Sequence, residues 1–259
     1  MNPTFNHKFK LGRRKKINDS RIVKLEKLPV TLNPAPSSVD YTIGLPSDLG
    51  MMLNDRLGDC TCAAFYHAIQ VWTFHTGNIV THPDMDVELL YEKADGYNPS
   101  NPTTDNGGNE NHVLSYLLQE GAPLTSGEPH KIAAFVELNV QNHEHIKSAV
   151  NDCGVVYLGF TVPTYIMPEN SEPLSVWDVN DSWNGENDGG HAVIIAGYNE
   201  VGVKVISWGK YYVMTWRFWD KFVDEAYAIA DTSWINQKGI NPLGMTLGEL
   251  ETLMAAFRN

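Results

Sequence analysis

Apolar and polar positions follow two different rhythms along this chain. From Asp59 or Cys60 to about Thr76 an apolar, Ala-rich run predicts a helix, which Thr76-Gly77-Asn78 stops. Asp84–Asp95 predicts a second, shorter helix. Gly96–Asn111 is a polar loop dense in Asn, Pro and Gly. Asn111–Glu120 is amphipathic, with Val113, Leu114, Leu117 and Leu118 at helical spacing, and Gly121 ends it. His143–Asn151 is one more short helix. After it the rhythm changes to alternating or β-branched stretches, which predict strands over Val155–Val162, Ala192–Tyr198, Val201–Trp208 and Tyr211–Trp216. Trp219–Tyr227 reads as a helix or turn leading into Ala228–Thr232. Thr246–Phe257 is an amphipathic helix carrying Leu247, Leu250, Leu253 and Met254. Helices first and strands later predict an α+β chain, with a helical lobe over about 54–150 and a sheet lobe over about 151–232. Residues 1–33 have no clear period, and Asn33–Ser38 is a turn-rich linker. The expected division is therefore an extended arm, 1–35, and a domain, 36–259. There is no internal repeat.

Charge sharpens that division. The 259 residues carry a net charge of −12, yet residues 1–30 hold nine Lys/Arg against Asp19 and Glu26, so the arm is +7 and the remainder −19. The arm is expected to dock on acidic surface, either of its own body or of a neighbour, and so to support self-association or a larger assembly through residues 1–33. Nucleic acid is an unlikely partner outside this basic arm. No apolar run approaches the roughly 18 residues of a membrane helix, and the basic N-terminus has no apolar segment behind it, unlike a secretory signal. The expected location is the cytoplasm or an assembly such as a virus particle. Three cysteines, Cys60, Cys62 and Cys153, argue against a disulfide framework. With no C-x-x-C pair or H-E-x-x-H, neither a metal nor another cofactor is expected.

Candidate chemistry centres on Cys60. It lies where a Gly-containing turn enters the apolar helix, facing the free N–H groups and the positive dipole end of the first turn. Both favour the nucleophilic thiolate. Asn54, six residues upstream, offers an amide that could donate to an oxyanion. The plainer reading makes Cys60 a small buried hydrophobe. His67 is seven residues further along the same helix, roughly 10 Å away, and too distant to take the thiol proton. His191 is the better base. It follows Gly189-Gly190 and opens the apolar run Ala192–Ala196.

Several segments, in order, resemble the papain-type cysteine peptidases over residues 36 to about 215. Pro36-Ser37-Ser38-Val39-Asp40-Tyr41 resembles the family's P-x-S-V-D-W opening, and Asn54–Phe65 its Q-G-S-C-G-S-C-W-A-F stretch. Val87-Glu88-Leu89-Leu90 falls where the family has S-E-Q-E-L-L. Asn106-Gly107-Gly108 resembles the N-G-G loop of its substrate cleft. Ile146–Val162 resembles the helix and strand that open its sheet lobe. Gly190–Tyr198 is similar to N-H-A-V-x-x-V-G-Y, and Ser207-Trp208-Gly209 to the tail of N-S-W-G. Matching Cys62 to the nucleophile aligns C-A-A-F with C-W-A-F. Matching Cys60 also gives Asn54 the family's spacing from oxyanion residue to nucleophile, so Cys60 is preferred. The asparagine that orients the family's histidine is replaced by Ile206 or by Ser207, depending on which motif sets the count. No cysteine lies in the Asn106 loop, so the family's cleft-side disulfide is absent.

The resemblance implies a two-lobed papain-like fold, a helical lobe beside an antiparallel sheet lobe, with a cleft between them. It implies a thiol peptidase or amidase acting on a peptide or protein substrate. Cys60 would be the nucleophile, His191 the base, Asn54 the oxyanion donor, Ser207 the orienting group, and Gly107 and Gly108 the partners of an extended substrate backbone. The alternative is a papain-fold protein of weak or no activity, docked by its arm in an assembly.

Overall fold

The computed structural model describes residues 9–17, 35–169 and 171–255. Its organising contact is one helix laid along one strand. Helix α1 (Cys60–Thr76) is buried continuously from Cys60 to Trp72. A helix apolar on all sides has no solvent face to offer, and α1 accordingly packs along β5 (Asn187–Tyr198) in the centre of the sheet. Helices α2 (Asp84–Asp95) and α3 (Glu110–Gln119) pack against each other on the α1 side. Gly96 ends α2 in the left-handed region at φ 79°, and the Asn109 side chain caps α3 by accepting from the Asn111 N–H.

Eight strands form one sheet. In chain order they are β1 (Val39–Asp40), β2 (Ala134–Glu137), β3 (Val156–Pro163), β4 (Val176–Trp177), β5, β6 (Gly202–Ser207), β7 (Lys210–Thr215) and β8 (Val223–Ala230). They lie in the order β2-β8-β3-β5-β6-β7-β4, and β1 adds to β5. Every pairing is antiparallel except β4 with β7. Helix α4 (His143–Cys153) precedes β3, α5 (Trp216–Phe222) joins β7 to β8, and α6 (Leu247–Ala255) packs against β2 and β8. The predicted α+β class holds, with helices and an antiparallel-dominated sheet.

Three expectations change in detail. Strand β5 starts at Asn187 and not at Ala192, because the polar residues before Ala192 pair with Phe160–Pro163 of β3. The stretch expected as helix or turn over Trp219–Tyr227 divides at Phe222, and its second half is β8. Strands β2 and β4 have no counterpart in the sequence reading.

Candidate active site

Cys60 is the first residue of α1, and its Sγ accepts a hydrogen bond from the backbone N–H of Ala192 at 3.4 Å. That contact ties the start of α1 to the residue that follows His191 in β5. The imidazole Nε2 lies 2.7 Å from Ser207 Oγ at the end of β6. Its Nδ1 is buried and has no hydrogen-bond partner among the described residues. Ser207, and not Ile206, therefore touches the histidine. Ile206 faces the core and pairs with Ile194 and Tyr211.

Trp208 covers the ring on its other side, stacked at 4.2 Å and 13° from parallel. It does so from a strained backbone. Trp208 and Gly209 are the two turn residues between β6 and β7, both with positive φ, 47° and 70°. Such two-residue turns favour Asn-Gly, and a bulky residue there costs roughly 1–3 kcal/mol. The indole stacked on His191 stands where that strain is held.

The space in front of Cys60 is filled by the chain's own arm. Residues 9–17 run between the helical side and the sheet side of the cleft, held by both backbone and side-chain bonds. Lys10 N–H donates to Asn54 O at 2.8 Å, and the Trp208 indole N–H donates to Lys10 O at 3.1 Å. Gly108 N–H donates to Gly12 O at 2.7 Å, and Arg14 N–H to Gly108 O at 2.7 Å. From the other wall, Gly190 O accepts the Arg13 N–H at 3.0 Å. Gly12 passes so close to Gly58 that a Cβ on it would stand 1.8 Å from Gly58 O. Gly107 keeps the same clearance opposite, since a Cβ there would meet Gly12 O at 1.9 Å. Gly108 thus pairs with the extended backbone of the arm, whereas Gly107 allows the close approach and gives its own N–H to Tyr91 Oη.

Burial sets the charge state of the pair. It pushes the Cys60 thiol far above its ordinary value, against the pull of the Ala192 and Gly12 N–H groups. It pushes His191 down to about 3. With the arm seated, both groups are neutral at pH 7. The expectation that the helix N-terminus favours a thiolate is reversed in this state, because removing water costs the charged form more than a helix end returns.

Asn54 also departs from expectation. Its amide hydrogens are used by Leu57 O at 3.1 Å and Asp59 Oδ1 at 3.2 Å. Asp59 is fully buried, its carboxyl pushed well up by that burial, and the Asn54 amide is its hydrogen-bond donor. The shorter Asn side chain is tied into its own loop and leaves no hydrogen for an oxyanion here.

Cys62 and Cys153 are buried and, like Cys60, unpaired. His67 is buried within α1, Nδ1 to Gln70 Oε1 at 2.8 Å, as a packing residue. Among the described residues no cluster of His, Cys, Asp or Glu could hold a metal ion, and no helix is long and apolar enough to cross a membrane.

Sequence reasoning missed the residues that meet the arm's side chains. Arg13 is enclosed by Glu110, Asp224 and Glu225, and Lys16 reaches Glu137 Oε1 at 2.6 Å. The signal was a carboxylate directly after Asn106–Asn109 and two more, Asp224 and Glu225, at the start of the run Val223–Ala230. Arg13 and Lys16 of the arm meet acidic side chains of the chain's own body, and residues 9–17 lie in the cleft, where docking elsewhere on the surface was expected. The arm's other residues lie outside the described ones.

No protein-family model and no curated protein matches the chain. Solved structures do. Xylellain, a cysteine protease from Xylella fastidiosa, superposes with a TM-score of 0.65 at 18% identity, over 87% of this chain and 97% of its own. Procathepsin B S9 from Trypanosoma congolense gives 0.55 at 14%, over 89% of each chain. Digestive procathepsin L 3 of Tenebrio molitor gives 0.55 at 13%, over 87% and 77%. At these identities the likeness speaks for the architecture, which is a divergent papain-like cysteine protease fold.

Proposed function

We infer that the protein is a cysteine peptidase or amidase whose cleft is closed by its own N-terminal arm. The observation that supports this most is the placing of Cys60, at a helix N-terminus and bonded to the residue after a histidine whose Nε2 is held by Ser207. With the arm displaced, water returns, the desolvation that keeps both groups neutral falls, and the thiol can pass its proton to Nδ1 of His191. The thiolate then attacks a peptide or amide carbonyl, and the imidazolium returns a proton to the leaving amine. The Cys60 backbone N–H, free at the first turn of α1, is the oxyanion donor this reading relies on. Asn54 would join it only if its loop rearranged.

A short arm suffices for closure. Nine extended residues span roughly 30 Å, enough to cross the cleft from Phe9 against Trp208 to Ile17, whose carbonyl accepts from the Asn111 amide.

The test is hydrolysis of a peptide library after proteolytic removal of the arm. Turnover should appear, and should vanish in Cys60→Ala and His191→Ala. Ser207→Ala should keep KM and lower kcat roughly tenfold, the worth of one hydrogen bond to the ring. The second reading, an inactive papain-fold protein docked in an assembly, draws on the engaged Asn54 and the neutral Cys60–His191 pair. It would be favoured by a cut chain that stays folded, hydrolyses nothing and loses self-association.

A further inference from the structure

One enclosed charge among the arm's described residues points to what else the cleft takes. Arg13 lies across Gly108 and Gly190, and its side chain descends between α3, β3 and β8. Glu110 Oε1 faces its Nε at 2.9 Å, and Nε donates to Glu225 Oε1 at 2.9 Å. The terminal Nη2 also pairs with Glu225, and Asp224 closes the mouth, accepting from Nη1 at 3.2 Å. Glu110 and Glu225 are both 0% exposed. Tyr227 Oη donates to the other Glu225 oxygen at 2.7 Å and fixes that carboxyl. The floor is Gly159 of β3, where a Cβ would stand 2.1 Å from both Arg13 Nε and Glu110 Oε1.

This pocket is built and not incidental. Two carboxyls without access to water are costly unless a cation meets them. Burial and the neighbouring Glu225 push the Glu110 carboxyl well up, and the Arg13 guanidinium pulls it down. The glycine leaves room for a planar group, and a flat guanidinium meets two carboxylates at once, as an ammonium does not.

We propose that the Glu110–Glu225–Gly159 pocket is a guanidinium subsite, and that the substrates of this cleft are peptides presenting an arginine side chain there, with Arg13 of the arm holding the place of that side chain. The substrate half rests on the peptidase reading above; the subsite does not.

The experiment separates the two. The full-length chain carries Gly12→Val and Arg13→Ala, so its own arm cannot reseat. Its binding to a peptide of residues 9–17 is compared with the same peptide bearing citrulline, the neutral isostere, at the Arg13 position. The citrulline peptide should bind roughly a hundredfold more weakly, because it leaves a buried carboxylate unpaired. Lysine should fall between. Adding Glu225→Gln should shrink the arginine preference to within a few fold. Gly159→Ala, which removes no charge, should abolish it by filling the pocket, and serves if the glutamine variant does not fold. Equal binding of the arginine and citrulline peptides, or a preference that survives both variants, would overturn the subsite. Hydrolysis of fluorogenic peptides with Arg, citrulline or Leu scanned through each position reads the substrate class. Turnover confined to arginine-bearing peptides supports it, and turnover preferring leucine overturns it. An arginine preference in binding with no turnover of any peptide would sink the peptidase reading and leave the subsite standing.

Discussion

Full-length protein with Gly12→Val is expected to be alkylated at Cys60 at least about a hundredfold faster than the natural chain at pH 7.5. The substitution acts on geometry alone. A Cβ at residue 12 meets the Gly58 carbonyl oxygen at 1.8 Å and the Gly58 carbonyl carbon at 2.2 Å, both backbone atoms that cannot swing aside. The arm has to leave the Cys60 end of the cleft. Two restraints on the thiol leave with it: steric cover, and the desolvation that pushes its titration far up. Reactivity follows the thiolate fraction, and each unit of return toward the ordinary value multiplies that fraction about tenfold below the pKa. Adducts mapped by mass spectrometry should lie on Cys60, with buried Cys62 and Cys153 unlabelled. Equal rates in the two proteins would mean the arm does not guard the thiol, and labelling at Cys62 would unseat the choice of nucleophile. In the same variant, peptide hydrolysis should rise together with alkylation.

His67 supplies the second large effect, and it concerns stability. Burial pushes this imidazole down to about 4, whereas the unfolded chain titrates it near 6.5. Between those values the unfolded state holds a proton that the folded state refuses, so the contribution of His67 to stability falls as pH falls. Several buried carboxyls shift the other way; burial holds Asp95 up to about 6, for example. The clean measurement is therefore a difference. Urea midpoints of the natural chain and of His67→Leu, taken at pH 7.5 and pH 5, should show the variant gaining about 2 kcal/mol relative to the natural chain on acidification. A difference that stays flat with pH would mean the imidazole is not held neutral. His130 will not confuse the result. Asp231 at 2.9 Å holds it above its ordinary value against burial, and it is common to both proteins, so its contribution cancels in the difference.

The helical half of the fold was the more legible in sequence, for a local reason. Helices α1 and α2 end where Gly77 and Gly96 follow them, and a glycine past the last turn is a signal carried within a few residues. The start of β5 was not legible. Asn187–Gly190 are polar and mostly exposed, and they are strand only because β3 offers partners, which apolar periodicity does not report. The same holds for the start of β8, where Glu225 breaks an apolar pattern because it faces a cation and not the core. Within the site, Ser207 meets His191, Cys60 meets Ala192, and Gly108 meets the arm, each contact joining separate segments of the chain. Asn54 does not join them, since spacing along the chain says nothing about the buried Asp59 that engages its amide. The arm was read as a docking element with no visible register. Part of its hold on the cleft is backbone to backbone across glycines, and such contacts leave no periodic side-chain trace.

The cleft and its occupant belong to one chain, and that governs how they part. The arm meets the cleft at a local concentration that dilution cannot lower, on the order of mM for short connections. A free peptide with an ordinary KM, about 1 μM to 1 mM, competes poorly with such a resident unless it is abundant. Opening is then a first-order event, independent of how much protein is present. Cutting one peptide bond between Ile17 and Ala35 changes the order of the reaction. The occupant becomes a separate molecule, its return becomes bimolecular, and volume alone carries it away.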